Sequence, residues 1–313
     1  MKTDPGASGP SPSAGDGRAE ARRPRHPLLP IGIAVLALGL LYFGGGALLL
    51  RLDLDAILFP RAPAPAPVVA GDPVEAFRIP GERGEALLVR RFGGGEAGCV
   101  LWFPDERGGV ERDARELFDD VTRAGLVVYA IAWPGQDGAP GRVHWDALRP
   151  LAARAAAEVI ARCGAARTVL AGERLGGLVA ALASTALMQR PAGLVLESVS
   201  PTFAATLRAR LRERLPTQAL ALLPLERLLP HDEVLADAIG ADLHAVAFQG
   251  TADAQAPIAE LRPGTAPQGL RPSVIEVREG THADTRSRAK ATMIATMLDM
   301  IRDARRQQRN AAD

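Results

Sequence analysis

A chain of 313 residues, 47% of them apolar, is long enough to bury one sizeable core and carry extensions besides. Its 37 basic side chains nearly cancel its 36 acidic ones, so bulk electrostatic binding to nucleic acid is excluded. There is no zinc-ligand spacing, no glycine-rich phosphate loop and no internal repeat, so neither metal nor cofactor is expected. The scarcity of aromatics (4%) and abundance of Ala, Leu, Arg and Gly read as the habit of a GC-rich bacterial genome, not as function.

Residues 1–27 are rich in Pro, Gly, Ser, Ala and Arg and bury too little apolar surface to offset ordering entropy; a disordered basic tail is expected. The run 28–50, LLPIGIAVLALGLLYFGGGALLL, has no charged residue. At ~1.5 Å per residue it exceeds the ~30 Å hydrocarbon layer of a bilayer. A signal peptide's apolar region is shorter, ~7–15 residues. A retained transmembrane helix in contact with membrane lipid is therefore expected. Arg18, Arg22, Arg23 and Arg25 precede the span, and Arg51 and Arg61 follow it. That bias predicts a cytoplasmic N-terminus and a main domain outside the bacterial inner membrane, in the periplasm of a Gram-negative cell. Residues 51–74, with PRAPAPAPVVAGDP at their centre, read as a proline-stiffened linker.

Beyond the linker, a domain over 75–306 alternates short apolar runs with longer amphipathic ones. Strands are predicted at 85–92, 98–104, 126–133, 167–172, 192–198, 244–250 and 272–279. Helices are predicted at 111–125, 145–164, 175–190 and about 285–306, with helical segments over 203–240 and a short tail at 307–313. This order predicts an α/β architecture, a mostly parallel central sheet with helices on both faces. Its functional site is expected beyond the carboxyl ends of the strands. Cys99 and Cys163 are too few and too distant for a disulfide framework and read as two buried thiols; an oxidising compartment would also permit a bridge.

Gly172-Glu173-Arg174-Leu175-Gly176 has the frame G-x-S-x-G, between a predicted strand and a predicted helix. QGTADAQAP (249–257) and GTHAD (280–284) follow, and WPGQDGAPGR (133–142) precedes them. Together these resemble the nucleophile elbow, acid segment, histidine loop and glycine-rich fourth-strand loop of the α/β-hydrolases. The leading apolar span, followed by LFPR (58–61), resembles single-pass, membrane-anchored serine hydrolases. The resemblance covers about residues 28–305. It implies the α/β-hydrolase fold, ester or amide hydrolysis, Asp253 at the acid position, His282 at the base position and Arg174 at the nucleophile position. It also puts the Leu175 N–H and the segment around Asp105 in the oxyanion region.

The departures bear on chemistry. A guanidinium has no lone pair to attack with and stays protonated. Where relatives often carry His-Gly, this chain reads Phe103-Pro104-Asp105-Glu106. Proline lacks an N–H, and a carboxylate opposes a developing oxyanion. Three readings of Arg174 stay open: an internal ion pair with Asp105, Glu106, Glu173 or Asp253; a site for an anionic small molecule; or a change on an open surface. His282 and Asp253 are either a surviving acid–base dyad or an inherited hydrogen-bonded pair. Ser198 and Ser200 end a different strand and are alternative hydroxyls. His26, His144, His231 and His244 have no partner pattern.

The segment 201–240 lies where such proteins insert a lid. Its arginines at 208, 210, 212 and 214 suit a solvated helical face or a basic surface against lipid. The leading expectation is a membrane-anchored, catalytically impaired relative of serine hydrolases with a binding or scaffolding role. The alternatives are a hydrolase using His282–Asp253 with another nucleophile or activated water, and a purely structural anchored domain.

Overall fold

A computed structural model describes residues 28–52, 54–59, 75–213, 215–229, 235, 243–261 and 272–311. The predicted tail 1–27, most of the linker and parts of the lid segment lie outside the described residues, as do His26 and His231. The chain divides into two units, Met1–Tyr42 and Phe43–Asp313. Among described residues the first unit holds the leading part of helix α1 (Leu28–Leu52). Along α1, Pro30–Leu52 is apolar and long enough to cross a membrane, with mean hydropathy 2.3; membrane anchors and signal sequences share this character. The glycine trio 44–46 does not interrupt the helix.

Among the described residues of the second unit, eight strands form one sheet in the order β1-β2-β4-β3-β5-β6-β7-β8. These are β1 (Glu75–Pro80), β2 (Ala86–Phe92), β3 (Gly98–Phe103), β4 (Leu126–Ala132), β5 (Thr168–Glu173), β6 (Gly193–Glu197), β7 (Ala245–Gly250) and β8 (Ser273–Val277). The β1–β2 and β2–β4 pairs are antiparallel, and all others are parallel. The central strands are apolar along their whole length because helices cover both faces.

Strand alternation divides the core in two. Leu101, Phe103, Leu170 and Leu194 face one layer, with α5 (Trp145–Cys163), α6 (Arg174–Thr185) and α7 (Phe203–Arg212). Val100, Trp102, Val128 and Val169 face the other. There they meet α3 (Val110–Asp113), a π turn (Ala114–Phe118), α4 (Asp119–Arg123) and the C-terminal helix Thr285–Asn310.

Several expectations change. β1 was not anticipated. The helix expected over 175–190 stops at Thr185, and the final helix runs on to Asn310. The linker begins later than residue 51, because Leu54–Leu58 forms helix α2, and Leu54, Leu58 and Phe59 are core residues. The two cysteines are not thiols: Cys99 on β3 is bonded to Cys163 at the end of α5. A cross-link over 64 residues stabilises by about 4 kcal/mol on the chain-entropy estimate. His144 has a partner after all, with its Nδ1 3.3 Å from Asp55 Oδ2.

Candidate active site

The carboxyl ends of β3, β5, β6, β7 and β8 converge on one edge of the sheet, and every predicted site residue lies in the connections that leave them. The β5–α6 turn is an elbow. Arg174 has φ 50°, in the left-handed region that a side chain ordinarily avoids. The flanking glycines are required by contact. A Cβ on Gly172 would meet the backbone of Gly176 and Gly177, and one on Gly176 would meet the carbonyls of Phe103 and Pro104. The frame thus packs α6 tightly beneath the loop that leaves β3.

The dyad is assembled. His282 Nδ1 lies 2.9 Å from Asp253 Oδ2 and 3.1 Å from Oδ1. Asp253 Oδ1 also accepts the N–H groups of Gln255 and Ala256, both at 2.9 Å. Burial alone would raise the Asp253 carboxyl, but the His282 hydrogen bond and charge and the two N–H groups outweigh it and hold it below its usual range.

Arg174 reaches both the loop after β3 and the loop that carries His282. Its Nη1 donates to Asp105 Oδ2 at 2.6 Å, and its Nη2 donates to the His282 carbonyl at 3.1 Å. Of the four carboxylates offered by the sequence, Asp105 is the one that pairs with it. Burial would lower the guanidinium's affinity for its proton, yet Glu173, Asp105 and Glu106 reverse that and raise it. The loop after β3 closes on Arg174 from the other side. Asp105 is fully buried, accepts the Arg107 N–H at 2.8 Å, and donates its own N–H to Glu173 Oε1 at 3.2 Å. Leu175 follows as a buried residue of α6. The glycine-rich fourth-strand loop braces this arrangement: Trp133 Nε1 donates to the Asp105 carbonyl, and Gln136 Nε2 to that of Glu106, both at 2.8 Å.

Behind the site runs a buried ionic cluster that motif reading missed. Arg286 binds Glu197 at 2.8 Å, Asp113 at 2.6 Å and also Glu173. Arg112 pairs with Glu173 and, at 3.0 Å, with Asp113, whose Oδ2 accepts Trp102 Nε1 at 2.8 Å. Burial raises the carboxyls of Asp105, Glu106, Asp113 and Glu173 above their usual range despite the arginines. One signal marked Arg286: it shares the helical phase of Ala289, Met293, Met297 and Met300, the buried stripe of the C-terminal helix.

The space left is small. A cavity of about 30 Å³ lies between Arg174, His282, Ser198, Glu106 and Arg210, roofed by α7. Helix α7 is latched to the loop after β3 by Arg210–Glu106 at 3.4 Å and Arg107–Glu213 at 2.8 Å. Ser198 leaves β6 next to where Arg174 leaves β5, because Glu173 and Glu197 are register partners at the ends of those strands. Its φ of 48° matches that of Arg174. Ser198 Oγ and Glu106 Oε2 are buried without a hydrogen-bond partner among the described residues. A groove of about 350 Å³ between α7 and the acid loop adjoins the cavity and shares Ala209 and Gln255 with it.

No family model matches this chain, and no curated protein matches it in sequence. Solved structures match it in fold. A Pyrococcus furiosus esterase aligns over 78% of this chain and 97% of its own, at TM-score 0.57 and 12% identity. A bacterial brefeldin A esterase, described as a homologue of human hormone-sensitive lipase, aligns over 82% and 85%, at TM-score 0.53 and 15% identity. The mouse alpha/beta hydrolase domain-containing protein 10 aligns over 74% and 99%, at TM-score 0.51 and 15% identity. The second unit has the α/β-hydrolase fold.

Proposed function

We propose that this chain is a membrane-anchored protein of the α/β-hydrolase fold in which serine-hydrolase chemistry is closed off at the nucleophile position, and that it works by binding or scaffolding at the membrane. The observation that carries this reading is the ion pair between Arg174 and Asp105, a cation in the nucleophile's seat bonded to an anion in the oxyanion region. Neither group can perform the step its position once served. The 30 Å³ cavity beside them accommodates about one water, far below the ~300 Å³ at which small-molecule pockets begin. An anionic small molecule at Arg174 would have to compete with the charge of Asp105, so the internal pair is the better-supported role. The Arg18–Arg25 cluster and the Cys99–Cys163 bridge support a cytoplasmic N-terminus and an extracytoplasmic domain of a bacterial inner-membrane protein.

The test is turnover of an activated ester by the purified full chain. The native protein is expected to match the buffer rate. The double variant Arg174→Ser with Asp105→Gly is expected to gain weak turnover that disappears when His282→Ala is added. Native turnover abolished by His282→Ala would overturn this reading.

Ser198 favours a second reading, an ester or amide hydrolase with a displaced nucleophile. Its Oγ would attack the acyl carbon while the proton passes to His282, which then protonates the departing alcohol or amine. Water would release the acyl group by the reverse proton route, and the adjoining groove would hold the acyl chain. Labelling by a small phosphonofluoridate, mapped to Ser198 by mass spectrometry and lost in Ser198→Ala, would support this reading. An unlabelled native chain counts against it.

A further inference from the structure

The last turns of α1 belong to the hydrolase-fold unit. From Pro30 onward Gly46 is the first buried residue of the helix, and a Cβ there would fall on the Leu220 side chain. Leu50 is buried in the core, and Arg51 Nε donates to the Leu228 carbonyl at 3.3 Å. The 3-10 segment Leu215–Leu222 and helix α8 (Leu225–Leu228) are therefore fastened directly to the end of the apolar helix. From Leu28 to Gly44 the helix has 17 residues. At ~1.5 Å each these rise about 26 Å, short of the ~30 Å hydrocarbon layer. A bilayer spanned by α1 would not be fully crossed before the 3-10 segment is reached. On these fastened segments Leu222 is 80% exposed, Leu49 62% and Leu52 74%, and Arg51 on α1 and Arg227 on α8 are exposed as well.

We propose that the 3-10 segment and α8 form a second, non-spanning contact with the bilayer. Leu222 enters the interfacial layer, and Arg51 and Arg227 meet anionic headgroups. Exposed leucines flanked by arginines are the composition that suits this layer. The proposal rests on the reading of α1 as a retained anchor. It adds that the domain is seated on the membrane and does not hang from a stalk.

The two cysteines are consumed by the disulfide, so an introduced cysteine gives a single labelling site. Leu222→Cys, Leu38→Cys in the apolar helix and Gln307→Cys on the C-terminal helix each receive an environment-sensitive fluorophore. The full chain is then reconstituted in vesicles of phosphatidylcholine and phosphatidylglycerol carrying nitroxide-labelled lipid. Quenching at Leu38 and Leu222, with none at Gln307, is expected. Quenching at Leu38 with Leu222 unquenched would overturn the seating while leaving the anchor in place. A blue-shifted but unquenched Leu222 label would mean that protein covers it and would also overturn the proposal. No quenching at Leu38 would remove the anchor reading, and this proposal with it.

Discussion

Arg174 holds a left-handed backbone conformation, which costs a residue with a side chain about 1–2 kcal/mol. The strain persists because Gly172 and Gly176 lock β5, α6 and the loop after β3 together whatever stands between them. The frame was therefore readable as a five-residue pattern, and the two loops whose Asp253 and His282 meet in a hydrogen bond were singled out with it. The Arg286 cluster was not, because Asp113, Glu173, Glu197 and Arg286 come from four separate elements and meet only in the folded chain. Removing one partner of such a buried network typically costs about 3–5 kcal/mol. Arg286→Met is expected to destabilise the fold on that scale at neutral pH, leaving Asp113, Glu173 and Glu197 without their common cation. Burial already raises Asp113 and Glu173, and loss of the arginine raises them further. A carboxyl raised in the folded state contributes stability at low pH that is lost as pH rises through its folded value. The deficit of Arg286→Met against the native chain should thus shrink on acidification into and below the carboxylate range. Melting temperatures of both proteins across pH check this, and a deficit that grows towards acid would contradict it.

Among the elements, the alternation of apolar runs located seven of the eight strands, and periodicity located the main helices. β1 escaped because it is an edge strand, mostly exposed in its first half, with a weak apolar pattern. Helix α2 escaped because it is one short turn beside a proline-rich stretch. The segment 201–240 was legible as helical and basic, but its ion pairs to the loop after β3 were not, since Arg210 and Glu213 look like solvated charges along a surface helix. Arg210 is instead turned inward onto Glu106. Arg210→Met is expected to speed amide exchange across Phe203–Arg212 while the melting temperature falls only slightly, because Phe203, Ala204, Leu207 and Leu211 still hold the helix to the core. Unchanged exchange in α7 would show that the latch does not set its mobility.

For the whole molecule, the disulfide is the feature that composition left open. Cysteine count favoured free thiols, but the fold brings the start of β3 and the end of α5 to a Cα separation of 6.3 Å, within bonding range. Reduction is expected to lower the unfolding free energy by about 4 kcal/mol, seen as a shift in the denaturant midpoint. In intact cells both cysteines should resist maleimide until a reductant is added. Ready modification without reductant would argue for a reducing compartment and against the proposed orientation.

The docking of Leu50, Leu54, Leu58 and Phe59 bears on any release of this domain if α1 is the anchor proposed above. Proteolysis within the proline-rich stretch would then leave those four side chains with the N-terminal stump. The departing body would open an oily seam where they had been. Burial of each is worth about 1.5–3 kcal/mol, so the freed fragment should clump instead of dispersing. A shed form that stays in solution must take the turn beginning near Gly46 along with it.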